Sequence, residues 1–436
     1  PGSDSDGGVP LIKVSDVKSG AIASRPSFCI SNKVDEEYKR TRLNGSELLL
    51  TLVGNPGDCV IVTDEMCGWN VARALAVIRL KDTQLRSWIR YVLASKPAQH
   101  LIEARLNTTV QKTLNLKDVR EIGIPIPPKE ERDSISKIID SIEKKTLLNT
   151  QINQTLESIA QAIFKSWFID FDPVRAKIAA KQEGKDSELA AMCVISGKSE
   201  AELKKMPEDD FAELQATAAL FPDELVESEL GEVPKGWDKY SLSKMITLIG
   251  GGTPKRSEPN YWNGDIFWFS VKDVPNEGEV FVITTQEKIS ELGLNKSSTK
   301  LLPVGTTIIT ARGTVGKIAL VGHEMAMNQS CYGVQGINGV KQFMTYYLIK
   351  NAVEVLKKNT HGAVFDTITQ ATFDTVTSIK PSIEMMDLFE SKVEKIMGHI
   401  KNNLYENNSL IALRDTLLPK LLSGELDVSS VQDEVA

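Results

Sequence analysis

The sequence predicts a mixed α/β chain. Two strand-rich globular domains are separated by a long antiparallel two-helix coiled coil, and the halves are related by an internal pseudo-two-fold repeat. Three observations carry this. Residues 110–168 reappear in step at 364–422, so that Val110 falls on Val364, Pro127 on Pro381, Asn149 on Asn403 and Leu156 on Leu410. Two segments of about 40 residues carry apolar side chains at 3–4 spacing, the pattern of a coiled-coil seam. Elsewhere short apolar runs alternate with Gly, Pro and Asn turns, as strands do. A period this long is a duplicated domain rather than a solenoid unit.

The elements follow in order. Residues 1–128 form a first head, in which QLRSWIRYVLASKPAQHLI (84–102) reads as helical. Its TLVGNPGDCVIV (51–62) lies over TARGTVGKIALV (310–321), and IKVSDV (12–17) over FSVKDV (269–274). Pro1 falls on Pro254, so the roughly 25 residues that open the second head have no counterpart, and an incomplete N-terminus is expected. Residues 129–173 form the first long helix, announced by Pro127 and Pro128 and by acids in its first turn. Its expected seam is Ile135, Ile138, Ile142, Asn149, Ile152, Leu156, Ile159 and Ile163. Residues 174–227 read as short helices and charged linker. Residues 228–382 form the second head, and 383–422 the second long helix, with Ile396, Asn403, Leu410, Leu413 and Leu417 on its seam. A tail of 423–436 closes the chain. Helices of this length span about 60 Å. A dyad perpendicular to them makes them antiparallel, puts the heads about 50–60 Å apart, and brings Asn149 close to Asn403.

Composition excludes several classes. No run of 18 apolar residues exists, so no membrane span is expected. Five scattered cysteines point to reduced thiols and a cytoplasmic setting. Four isolated histidines leave no zinc pattern, and no metal site is expected. The net charge of −7 hides a gradient: residues 1–128 carry 17 basic and 14 acidic side chains, 129–227 carry 13 and 20, 228–382 carry 16 and 14, and 383–436 carry 5 and 10. The heads are therefore mildly basic and the helices acidic, and it is local charge that binds phosphate.

Catalytic motifs are missing. IGGGTPK (249–255) lacks the GK[ST] ending of a phosphate loop, and GTVGKI (313–318) fails the same test. No NPPY or DPPY run and no G-x-S-x-G elbow is present, so no catalytic residue is assigned. What remains is polar loops of base-reading and phosphate-holding types: Lys13, Ser15, Lys18, Asn55 and Asn70 in the first head, and Lys255, Arg256, Tyr261, Trp262, Lys272, Arg312, Thr314, Lys317, Asn328 and Gln329 in the second. Arg, Asn and Gln read purine edges with two hydrogen bonds, while Lys mostly holds phosphate.

IPIPPKEERDSISKIIDSI (124–142), SIAQAIFKSWFIDFDPVRAK (158–177), LLPKLLSGELDV (417–428) and EVPKGWDKYSLSKMITLIGGGTP (232–254) together resemble the specificity subunit of type I restriction–modification systems. The resemblance spans nearly the whole chain. It implies two target recognition domains, each reading half of a bipartite site on double-stranded DNA. The helices between them would set the half-site spacing and dock two methyltransferase subunits, with restriction subunits joining the complex. It further implies a non-catalytic chain that binds no cofactor, with S-adenosylmethionine, ATP and Mg on the partner subunits. Two other readings fit parts of the same sequence: a fragment of a single-chain restriction–methyltransferase enzyme, and a free-standing coiled-coil DNA-binding regulator.

Overall fold

The computed structural model describes residues 8–18, 20–22, 25–106, 112–228, 231–276, 278–359 and 367–426. The chain divides into two compact units, Pro1–Thr146 with Asn408–Ala436, and Leu147–Asn407. Both units draw on the same two long helices, Lys129–Phe168 and Ile383–Ser423.

The first unit is built on the run Leu48–Thr51, which pairs antiparallel with Cys59–Ile61 on one side and Leu75–Ile78 on the other. All four of its residues are buried, and alternation sends them to opposite faces. Leu49 joins Ile12, Val60 and Met66, while Leu48 and Leu50 join Leu93, Ile102 and Leu114. A second small sheet centres on Val9–Ile12, antiparallel to Cys29–Ile30 and parallel to Asn70–Val71. Helix Arg86–Ala94 then lays Trp88, Tyr91 and Val92 against Ile135, Ile139, Leu418 and Leu421. Polar ties support this packing: Trp88 Nε1 donates to the Pro125 carbonyl at 2.7 Å, the Tyr91 hydroxyl to Asp140, and Arg90 to Glu143.

The second unit repeats this frame. Its larger sheet runs Ile246–Gly250, Cys331–Gly336, Thr307–Thr310, Ile318–Val321, Phe281–Val282 in spatial order. Its smaller sheet places Trp262–Phe269 antiparallel to Glu287–Ile289 and parallel to Met325–Met327. Helix Gln342–Asn359 packs on both long helices, with the Tyr347 ring 5.4 Å from Phe164 and 6.1 Å from Phe389. The expected linker folds as helix Asp172–Gln182, which sends Val174 into the large core, and helices Ser187–Ser196, Glu200–Leu203 and Glu208–Ala219 around a small core of Ala191, Met192, Leu203 and Ala218.

The first long helix ends at Phe168, short of the expected 173. Phe171 is left-handed (φ 57°), and Pro173 opens the next helix. A left-handed aromatic residue is strained. Here the ring is held by Trp237, 5.8 Å away and nearly perpendicular.

The long helices run antiparallel within each unit. In the first, Ile135 and Ile139 share a core with Leu418 and Leu421, and Arg414 lies 3.8 Å from Glu143. In the second, Asn149 Nδ2 donates to Asn407 Oδ1 at 2.9 Å and to Glu406 at 2.7 Å, while Asn403 Nδ2 donates to Asn153 Oδ1 at 2.8 Å. The sequence reading has Asn149 meeting Asn403; instead Asn149 meets Asn407 and Asn403 meets Asn153. Each meets the other copy's later asparagine, and the shift by 254 residues turns one pair into the other.

The seam also needs correction. Ile135, Ile142 and Asn149 are buried, but Leu156, Ile163, Ile396, Asn403, Leu410 and Leu417 are only half-buried, and Ile152, Ile159 and Leu413 are exposed. Covered positions that the expected seam left out include Asn153, Glu157, Ala160 and Phe164 on the first helix, and Val393, Met397, Ile400, Leu404 and Asn407 on the second. The physical reason is a third helix. Each long helix faces its partner and also a helix of a head, so its buried face is broader than a two-helix seam and is rotated by about one residue.

Candidate nucleic-acid interface

In the second head, backbone bonds tie together the loops that carry most of the expected residues. Gly251 and Gly252 pass so close to the Met327–Asn328 backbone that a Cβ on Gly251 would sit 1.9 Å from the Asn328 carbonyl oxygen. Only glycine permits this approach. It sets the following Thr253–Arg256 segment beside Asn328 and Gln329, and the Thr253 hydroxyl donates to Gln329 Oε1. Asn328 N–H donates to the Phe269 carbonyl at 2.9 Å, which brings in the turn that carries Lys272. Ala311 N–H donates to the Ser330 carbonyl at 2.7 Å, which brings in Arg312 and its loop. That loop is closed by Thr310, whose hydroxyl donates to the Thr314 carbonyl and accepts from Lys317 N–H at 2.9 Å.

The side chains fall into two groups. Lys255, Lys272, Arg312 and Lys317 are exposed and make no side-chain hydrogen bond or ion pair among the described residues. Thr314 is exposed on the same loop as Arg312. The others are committed to the protein. Arg256 forks onto Glu287 and lies 3.7 Å over the Trp262 ring, and this pairing lowers the pKa of Glu287 and raises that of Arg256. Tyr261 is half-buried and its carbonyl accepts from Ser290 N–H at 3.0 Å. Trp262 is half-buried with its ring edge-on to Trp268. Asn328 Oδ1 accepts from Ser330 N–H at 3.0 Å and shapes the turn.

In the first head, Asn70 is a correction. It is 1% exposed, donates to Asp35 Oδ1 at 2.8 Å and accepts from Thr41, so it braces the domain and faces no ligand. Asn55 is exposed, but its amide donates to Asp58 at 2.9 Å within its own loop. Lys13 is half-buried with its ammonium 3.4 Å from the Phe28 ring centre. Ser15 is exposed in the turn Val14–Asp16. Lys18 belongs to strand Val17–Lys18, and its side chain lies outside the described residues.

Sequence reasoning missed Arg73. It is exposed, between Ala72, whose N–H donates to the Ile12 carbonyl at 2.9 Å, and Ala74, whose carbonyl accepts from Leu52 N–H at 2.8 Å. These are the bonds that flank Gln329 in the second head. The signal was within reach, three residues beyond Asn70.

Among the described residues no group of His, Cys, Asp or Glu is arranged to hold a metal ion, and no helix is long and apolar enough to cross a membrane. All five cysteines are free thiols; burial pushes Cys59 and Cys331 up to about 12 and keeps them protonated.

Comparison with known proteins gives a consistent picture. A family model described as the type I restriction modification DNA specificity domain matches residues 3–158 and 234–404. The type I restriction enzyme HindI specificity subunit of Haemophilus influenzae is 36% identical over 340 residues, covering 75% of this chain and 73% of that protein. The EcoBI specificity subunit of Escherichia coli is 30% identical over 174 residues, 38% of this chain and 36% of that one. Among solved structures, the type I restriction–modification S subunit from M. genitalium aligns with 96% of this chain and 90% of its own, at 13% identity and a TM-score of 0.45.

Proposed function

This chain belongs to the family of type I restriction–modification DNA specificity subunits, and from that premise we propose that each of its two heads reads one half of a bipartite DNA site. The observation that carries the reading is the second-head surface. Four exposed cations, Lys255, Lys272, Arg312 and Lys317, are carried on loops that backbone bonds tie to the turn of the exposed Gln329. Lysines at such a surface neutralise phosphates, while Arg and Gln offer base-reading geometry. The first head repeats the frame with other side chains, as two unequal half-sites require.

The antiparallel helices act as the ruler between half-sites and dock methyltransferase subunits, two by the symmetry of the repeat. Restriction subunits join through that complex. Methyl transfer and ATP-driven cleavage fall to these partners, with S-adenosylmethionine, ATP and Mg held there.

The test is reconstitution. The chain is co-expressed with a methyltransferase subunit of its own system and the methylated sites are mapped by sequencing. A bipartite site is expected, and exchanging residues 231–382 for another member's second head should change one half only. A change in both halves, or in neither, would refute the division of labour.

A further inference from the structure

We propose that Arg73 is a specificity-determining residue of the first head, standing where Gln329 stands in the second; the assignment rests on the reading that each head binds DNA. The equivalence is one of backbone bonds. Ala72 N–H to the Ile12 carbonyl (2.9 Å) matches Asn328 N–H to the Phe269 carbonyl (2.9 Å), and Leu52 N–H to the Ala74 carbonyl (2.8 Å) matches Ala311 N–H to the Ser330 carbonyl (2.7 Å). The strands that enter the two turns, Asn70–Val71 and Met325–Met327, each run parallel to a neighbour, Val9–Ile12 and Trp262–Phe269. The middle residue of each turn, Arg73 or Gln329, is exposed.

Arg73 is one of four exposed arginines of its head, with Arg25, Arg40 and Arg120, whose side chains make no hydrogen bond or ion pair among the described residues, and it is the one that stands in this turn. Arg42, Arg79, Arg86, Arg90 and Arg105 each donate to a carboxylate or a backbone carbonyl. Arg73 has no such partner among the described residues. A guanidinium without internal bonds keeps its full fork for a ligand. Its surroundings narrow the role further. The positions that carry Asn328, Ser330 and Arg312 in the second head carry Ala72, Ala74 and Val53 in the first, and none of these three can hydrogen-bond a base edge through its side chain. Polar readout at this turn thus falls to Arg73. A donor-only fork matches the O6 and N7 acceptors of guanine, whereas Gln pairs with adenine. The first half-site therefore carries a guanine under this turn.

The experiment uses the full chain in complex with its methyltransferase subunit, with methylated sites mapped for wild type, Arg73→Ala, Arg73→Lys, Arg73→Gln and Gln329→Ala. Arg73→Ala and Arg73→Lys should each relax one guanine of one half-site, with preference falling about tenfold or more. Arg73→Gln should move that preference toward adenine. Gln329→Ala should alter the other half only. If the wild type gives a bipartite site but every Arg73 variant keeps it, with methylation reduced evenly and Arg73→Lys restoring it, Arg73 holds phosphate and the assignment is overturned. A wild-type complex with no bipartite site overturns the DNA-reading function itself, and the assignment with it.

Discussion

The two heads share a frame and differ in what they hang on it. Thr51 and Thr310 close the same loop with the same bonds: Thr51 N–H to the Asp58 carbonyl and Thr310 N–H to the Lys317 carbonyl, both at 2.9 Å. Beyond it, Val53 bridges Thr113 as Arg312 bridges Thr367. Yet Val53 stands where Arg312 does, Asp58 where Lys317 does, and Arg73 where Gln329 does. The glycines and the threonine at which the loop turns are kept, while the exposed positions between them are free to change. That is the division expected where the backbone positions a reader and side chains choose the base.

The comparison can be broken first through the cores. Phe164 and Leu418 are equivalent in the repeat and each is 3% exposed, but Phe164 packs on the rings of Tyr347, Phe389 and Phe168. Phe164→Ala should cost about 3–5 kcal/mol and Leu418→Ala about 2–5. Hydrogen exchange in increasing urea, read separately for amides of each unit, should show the first loss in Leu147–Asn407 and the second in the other unit. Equal losses throughout would mean that the two units do not unfold independently.

Binding offers the next test. Arg312→Ala should weaken DNA binding by about 1–3 kcal/mol and relax one base position if the guanidinium reads a base. If it holds phosphate, the loss is even across sequences and the log–log salt slope falls by about 0.9. Val53→Ala, at the equivalent position, should do neither. Titrations of matched and mismatched duplexes at several salt concentrations separate these outcomes.

The asparagine layer gives a smaller effect. Asn149→Leu leaves the buried Asn407 facing a side chain that cannot bond, and should cost about 1–3 kcal/mol. Adding Asn407→Leu should recover most of that loss, since the two apolar partners leave no buried amide unpaired and the groups released, Glu406 and Thr150, reach water. A single variant more stable than wild type in chemical denaturation would show that the layer is not bonded as described.

The smallest expected effect concerns Glu390, whose repeat equivalent is Ser136. Its carboxylate accepts from Phe343 and Met344 N–H at 3.1–3.2 Å, but burial dominates and holds its pKa above the ordinary glutamate value. A raised acid binds its proton more tightly folded than unfolded. Its contribution to stability is therefore greatest at low pH and falls as pH rises from the unfolded to the folded pKa. Glu390→Gln keeps an acceptor and should flatten that slope just above the ordinary glutamate range. Denaturation midpoints that track wild type at every pH would remove Glu390 as the cause.

Most of the frame was legible in the sequence because it is written twice. Matching Gly54 with Gly313 and Gly57 with Gly316 located the loop that hydrogen bonding confirms. The candidate residues fared unevenly. Arg312, Lys272 and Gln329 are exposed, on loops that backbone bonds tie together. Asn70 did not, because its burial depends on Asp35 and Thr41, about 30 residues away, and nothing local announces them.

By itself, then, the sequence determined the duplication, the two strand-rich heads, the long helices and their antiparallel sense. Periodicity and repeat register are local properties that residue order alone can express. Only the tertiary structure decided which face of each helix is buried and which polar residue in each turn faces outward. A third helix packed against the pair moves the seam from Asn403 toward Leu404 and Asn407, and a backbone bond at each end of a three-residue turn presents Arg73 rather than Asn70. Both depend on contacts between residues far apart in the chain, and one-dimensional periodicity carries no record of those.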